Sequence, residues 1–402
     1  MTFTNRVDFR AEGRLVMTVF GQFVAQPVWP LVVGFAMISG ACAGDDGAAG
    51  PKGEPGPPGA SGSEGEVGET GRQGEAGPPG RDGSLSAYGD GSAGDVEFTG
   101  FLNFFDDASR TLLLPNNNYQ FRNVRIDSDA VIVLPSGFVF RCTGTFTNEG
   151  RIIVSNSENG GLEISDVTFS GDAAGSGVAL SGGQPGEVAD TPFLVPGGRG
   201  GVGLGLGSYF LLNPTLDGGS GGAGTLYQTG SSGGGSLWIF AAGAVVNSGS
   251  IEADGGESVV ASGGGGGGGV IVIASRTSIT NTPEGAMRAE GNEGSLGVDF
   301  DGSLIFLEHS VAPSGGGGGG IIHLLAPEVS SLGTISVAGG DAGRAQSVGA
   351  ERKDLRVGGA GGGAGGGNGG EGGSIQGNSV VEAQPGTDGQ FIVSEFDPTA
   401  LL

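Results

Sequence analysis

Two histidines, two cysteines and 43 acidic residues are what the chain offers for acid–base, nucleophilic or metal chemistry. His323 lies in Ile321-Ile-His-Leu-Leu325, where strand alternation puts it on one sheet face with Ile321 and Leu325. Such surroundings predict a histidine satisfied by a backbone group, not a catalytic base. Cys42 and Cys142 are far apart and belong to no CxxC or Cys/His spacing, which excludes a disulfide framework and a zinc site. Cys142 closes the run Phe138-Val-Phe-Arg-Cys142 and reads as a small buried hydrophobe. No Ser/His/Asp set, HExxH or Walker sequence is present, and the glycine runs lack a GK[ST] ending. Asp217-Gly-Gly-Ser-Gly-Gly and Asp254-Gly-Gly have the composition of calcium loops without matching the nonapeptide GGxGxDxUx. Acids such as Asp166, Asp172 and Glu187 are plentiful enough to hide a glycosidase-like pair, but spacing alone selects none. The expectation is a protein that is not an enzyme and carries no cofactor.

The elements that would position any such group have to be built from an unusual composition. Of 402 residues 91 are glycine, and the charged share is only 15%, yet the net charge is −25. Residues 1–41 hold three arginines against two acids, whereas the body carries most of the negative charge. That surface repels phosphates and anionic lipid, so nucleic acid is not an expected partner. Sparse negative charge suits a secreted protein that stays soluble beside its own copies.

Glycine recurs at every third position from Gly44 to Gly83, giving thirteen unbroken Gly-X-Y triplets. The phase runs through Gly44, Gly47, Gly50, Gly53, Gly56, Gly59, Gly62, Gly65, Gly68, Gly71, Gly74, Gly77, Gly80 and Gly83. Three polyproline-II-like chains can wind together only where the residue at the crowded axis has no side chain. Pro51, Pro55, Pro57, Pro58, Pro78 and Pro79 hold φ near the required value from X and Y positions. A flexible Gly/Pro linker is the alternative reading of such a composition. The tract resembles the collagen-like repeats of bacterial surface proteins, which implies a homotrimer, because a lone chain cannot form this helix.

The leading segment, residues 1–41, carries Arg6, Arg10 and Arg14 before an apolar run from Val28 to Ile38, closed by Ser39-Gly-Ala-Cys-Ala43. A basic start, a short apolar stretch and small residues describe a secretory signal, too short to span a bilayer comfortably. Cys42 after Gly-Ala resembles the bacterial lipoprotein signal, which implies cleavage and lipidation at Cys42 and, with Ala43, sorting to an outer membrane. Ser39 departs from that pattern, and ordinary cleavage near Ala41 or Ala43 is the rival.

Residues 84–98 read as a small polar linker, and from Thr99 to the end the chain is all-β. Strands are predicted at 121–126, 130–134, 138–142, 151–155, 162–164 and 167–169, broken at Asp127-Ser-Asp129, Pro135-Ser-Gly137 and Asn148-Glu-Gly150. An internal repeat follows: a glycine run, an apolar strand, a turn, a second strand, then Gly-Gly. Its copies open at Gly233, Gly267 and Gly318, and a diverged copy begins at Phe138. The unit resembles Gly-rich repeats of large bacterial and phage surface proteins. Two pictures fit. In a β-solenoid, strands near 237–240, 270–274 and 321–325 stack as equivalent positions around a shared core. Alternatively, the runs 263–269, 315–320 and 358–373 form threefold polyglycine helices packed side by side. Both suit an all-β, solenoid-like head (99–402) on a collagen-like stalk (44–83). The inserts 291–314 and 341–357, which hold charges the repeats lack, are expected to project at the surface.

The function expected from these features is structural or adhesive: a lipid-anchored trimeric stalk displaying a β-rich head outside a bacterial envelope, with a surface glycan or protein as ligand. The alternatives are a solenoid polysaccharide lyase or hydrolase, or a phage-type fibre adhesin.

Overall fold

The computed structural model describes residues 5–9, 14–19, 87–104, 120–155, 177–184, 198–205, 212–215, 217–223, 230–256, 263–295, 312–344, 356–357, 361–363, 366–376 and 379–402. The chain divides into two units, 1–2 with 23–84 and 3–22 with 85–402, and every described residue belongs to the second. The predicted strands at 162–164 and 167–169 lie outside the described residues.

Short strands with alternating burial, separated by turns, can bury their apolar face only by stacking turn on turn. The head does this in six turns of three strands each. The first turn is β3 (Asp95–Phe98), β4 (Phe101–Asn103) and β5 (Gln120–Phe121), after an antiparallel pair β1 (Asn5–Phe9) and β2 (Arg14–Val19). The next is β6 (Val124–Ile126), β7 (Val131–Leu134) and β8 (Phe138–Cys142). Then come β9 (Phe146–Asn148), β10 (Arg151–Val154), β11 (Ser236–Ala241), and β12 (Val245–Asn247), β13 (Ser250–Glu252), β14 (Val270–Ser275). The last two turns are β15 (Ser278–Asn281), β16 (Ala286–Arg288), β17 (Ile321–Leu325), and β18 (Glu328–Ser331), β19 (Thr334–Ser336), β23 (Gln390–Ser394). Between β19 and β23, β20 (Arg356–Val357), β21 (Ser374–Gln376) and β22 (Ser379–Val381) form a small antiparallel sheet.

Corresponding strands of successive turns pair in parallel, giving three long sheets. The first is β2-β3-β6-β9-β12-β15-β18, the second β4-β7-β10-β13-β16-β19, and the third β5-β8-β11-β14-β17-β23. The repeat expectation holds in register: Leu237 faces Ile271, and Ile271 faces Ile322. Trp238, Ile271, Val272 and Ile322 are all fully buried.

Inward side chains of the three sheets form one column. At its N-terminal end Phe98, Phe104, Phe121, Phe138, Phe140 and Phe146 meet mostly edge to face. Further along, Ile152, Leu237, Ile239, Ile251, Ile271, Ile279 and Met287 continue it, and Phe391 and Val393 extend it into the last turn at 41% exposure each. Inside the column Asn148 donates to Asn247 (2.7 Å) and Asn247 to Asn281 (2.8 Å), a rung-to-rung amide ladder. The ladder stops at Asn148 because its register partner one turn earlier is Ile126, whose side chain has no donor, and Asn148 Oδ1 is buried without a hydrogen bond among the described residues.

Two boundaries change from the sequence reading. Residues 84–98 are not a linker throughout: Tyr88 is buried, and β3 places Val96 and Phe98 in the column. The predicted strand 121–126 is two strands, β5 and β6, on different sheets, because the chain turns a corner at Arg122-Asn123.

The two pictures of the head turn out to be one structure. Four of the longer connections, 155–235, 253–269, 289–320 and 337–389, leave the second sheet and return to the third, all at the same corner. The solenoid therefore sets these inserts side by side, and their glycine segments hydrogen-bond with a period of three. Gly317 and Gly320 donate to Asn292 and Ala289, Gly316 and Gly319 to Gln384 and Thr387, and Gly318 to Gly362. Successive N–H groups thus serve three different neighbours, which satisfies the backbone of buried segments that belong to no sheet. The neighbouring segment repeats the pattern, with Gly264 and Gly267 donating to Ala223 and Ser220, and Gly265 and Gly268 to Gly315 and Gly318. Residues 291–295 and 312–314 take part, so the ends of the insert 291–314 are packed and do not project. Glu293 is exposed, whereas Asp299, Asp301, Glu351, Arg352, Lys353 and Asp354 lie outside the described residues.

Candidate functional site

Cys42 and all the triple-helix axis glycines from Gly44 to Gly83 lie outside the described residues, as do His309, Asp166, Asp172 and Glu187. Asp254 is described, and its carboxylate accepts from the Glu290 N–H (2.9 Å) and pairs with Arg288 (3.0 Å).

Cys142 is fully buried in the column, and burial pushes its thiol up to about 12, so it behaves as the inert hydrophobe expected. His323 shares the outer face of the third sheet with Ile321 and Leu325, as alternation predicted. The partner at its Nε2 is the Ser394 hydroxyl at 2.9 Å, a side chain and not the expected backbone group. Burial lowers its pKa to about 4. Between about pH 6.5 and 4 the unfolded chain therefore binds a proton that the folded chain does not, so stability falls as pH falls through that window. The full window is worth as much as about 3 kcal/mol. His323→Gln should remove that slope, read as the difference between urea midpoints of the two proteins at pH 7 and pH 4. Parallel pH dependences would show that His323 is not the group responsible.

Charges on the second sheet form a ladder. Arg151 pairs with Glu252 at 2.6 Å, and Arg288 reaches both Glu252 (3.3 Å) and Asp254. Burial pushes the Glu252 carboxyl up, but bonds from Arg151 and Ser250 and the charge of Arg288 more than offset it, leaving its pKa lowered. Asp254 is raised, because burial outweighs its bond from Glu290 and the charge of Arg288.

The outer face of the third sheet carries a concavity. Gln120, Arg141 and Phe240 stand in a single row across β5, β8 and β11. Together with Ala87, Leu212, Asn213, Pro214 and Leu402 they line a cavity of about 250 Å³. The Arg141 guanidinium lies over the Phe240 ring, 5.4 Å from its centroid, and Nη1 donates to the Ala87 carbonyl. Gly89, at φ +80, lets the loop settle on this row: a Cβ there would lie 3.1 Å from that of Arg141 and 3.3 Å from that of Gln120. The loop is tied to the C-terminal segment by Tyr88, whose hydroxyl bonds Thr399 at 3.2 Å. Sequence reasoning missed this site. Alternating burial along β8 sets Arg141 on the face opposite Phe140 and Cys142, but nothing in the sequence sets it beside Phe240, which a long insert separates from it.

Residues 41–96 match the family described as collagen triple helix repeat (20 copies). No curated protein and no solved structure matches the chain. The match extends past Gly83, but Gly89, Gly91 and Gly94 have φ of 80, 69 and 74, opposite in sign to the polyproline-II value a triple helix needs. The repeat thus ends before residue 89. The protein is collagen-like in the tract before the head, and the head is all-β and solenoid-like.

Proposed function

We propose that this is a structural surface protein in which a homotrimeric triple-helical stalk, residues 44–83, displays the polyglycine-clad solenoid for attachment outside a bacterial envelope. The observation that carries this reading is the unbroken glycine phase over thirteen triplets, within the collagen repeat match. At about 3.1 Å per residue the tract would extend roughly 120 Å. Replacing Gly65, near its middle, by a bulky residue should lower the melting transition of the stalk while the head's transition stays put. Two unchanged transitions in calorimetry would sink the stalk reading.

Anchoring belongs to the same proposal. Signal cleavage before Cys42 would remove β1 and β2 and leave β3 as the edge of the first sheet. Acyl chains on three protomers would hold the trimer firmly where one chain binds weakly. Cys42→Ala should release the protein from membranes into the soluble fraction, and an unmodified mature N-terminus in mass spectrometry would refute lipidation.

A displayed polysaccharide lyase or hydrolase is the second reading. Glu252 and Asp254, which share Arg288 and whose carboxyls are shifted in opposite directions, are the described pair that such an enzyme would use. Release of reducing ends from a polysaccharide, abolished by Asp254→Asn, would establish it. Equal release by the variant would end it.

A further inference from the structure

Arg141 is the side chain in the described head that the fold does not account for. Arg122, Arg125, Arg151 and Arg288 each meet a carboxylate. Arg141 is half-buried and meets none among the described residues, in a chain with 43 acids. Burial alone lowers its pKa. Holding a cation out of water without a counter-ion costs stability, and such a group persists where something else uses it. Its geometry is fixed: the Phe240 ring supports one face of the guanidinium, and the Ala87 carbonyl takes Nη1. The rest of the fork has no protein acceptor among the described residues and borders the cavity.

We propose that this cavity binds a carboxylate-bearing ligand about the size of one acidic sugar residue, with Arg141 holding the carboxylate. A planar fork matches a carboxylate with two parallel charge-assisted hydrogen bonds, a geometry a lysine could not supply. Gln120 and Asn213 also line the cavity, and side-chain amides are of the type suited to hydroxyls. The Gln120 amide is oriented, because its Oε1 accepts the Asp90 N–H at 3.0 Å. Leu212, Pro214 and Leu402 give apolar walls for the carbon face of a ring. A volume of about 250 Å³ admits one such residue and leaves little room for a second. The site stands on the head alone. Its use in attachment rests on the displayed-head reading, and a titration with soluble ligand reads the pocket whether or not the stalk trimerises.

The experiment is a titration of the full-length protein, labelled with ¹⁵N in arginine, with glucuronate, glucose and inorganic phosphate. Glucuronate should shift one Nε–Hε resonance, identified as Arg141 by its absence in Arg141→Gln. Glucose should bind at least about ten-fold more weakly, and Arg141→Gln and Arg141→Lys should each lose a similar factor for glucuronate. If those variants fail to fold, Asn213→Leu, on the exposed wall, should still weaken glucuronate, read from the one Nε–Hε resonance that glucuronate shifts in the unaltered protein. The proposal is overturned if glucose binds as well as glucuronate, if phosphate binds as tightly, or if glucuronate shifts no arginine resonance at any soluble concentration.

Discussion

Replacing Gly317 by valine should abolish the folded head, at a cost of more than about 5 kcal/mol. A Cβ on Gly317 would sit 1.9 Å from the Gly266 carbonyl oxygen and 2.5 Å from its carbon. Those atoms are backbone, held in their own hydrogen-bonded segment, and cannot swing aside as a side chain would. Nor can Gly317 move: it donates to Asn292 at 2.8 Å and accepts from Gly340 at 2.7 Å. A Cβ on Gly386 would meet the Gly317 oxygen at 1.9 Å, so a third neighbour is equally close. Overpacking in ordinary cores costs about 1–3 kcal/mol because side chains give way, and here there are none to give. Gly94 is the control, since a Cβ there meets nothing within 4 Å although φ is +74. Asparagine tolerates that conformation, so Gly94→Asn should cost under about 1 kcal/mol. Comparable denaturation midpoints for the two variants would mean that the glycine segments are not packed as described.

Trp238→Ala should cost about 3–5 kcal/mol and is the largest loss expected from any single truncation on the outer face of the third sheet. Its side chain is fully buried and belongs to one apolar cluster with Tyr88, Phe240, Val270, Val272, Ile321 and Leu325. The residue pairs with Val139 on one side and Val272 on the other, so a cavity there opens between three turns at once. Its indole Nε1 is buried without a hydrogen bond among the described residues, an unfavourable feature in itself. Trp238→Phe keeps most of the packing and removes that donor, so it should cost far less than alanine. Equal losses for Ala and Phe, read from urea midpoints, would place the energy in the indole nitrogen and contradict the packing account.

The solenoid was legible where physical chemistry acts locally. Alternation in Phe138–Cys142 and the shared phase of the strands at 237, 271 and 322 marked both the strands and their equivalence. The second burial was less visible. β11, β14 and β17 are buried at every position, because a layer of inserts covers the face that alternation would leave to water. Sequence showed that glycine runs existed. Only the common corner at which the inserts leave explains why they can pack together: the turn-to-turn translation of the solenoid sets their spacing. The early boundary at 99 failed for a related reason. Val96 and Phe98 look isolated in a polar stretch, and they become core only when Val124 and Ile126 lie beside them one turn later. Arg141 shows the same limit at the candidate site, since the row Gln120, Arg141, Phe240 exists only through register between separate turns.

Native mass measurement of the mature full-length protein, beside a version lacking residues 44–83, tests the central claim most directly. A trimer that becomes a folded monomer on loss of the tract is the predicted result. A full-length monomer, or a trimer that survives removal of the tract, would contradict it.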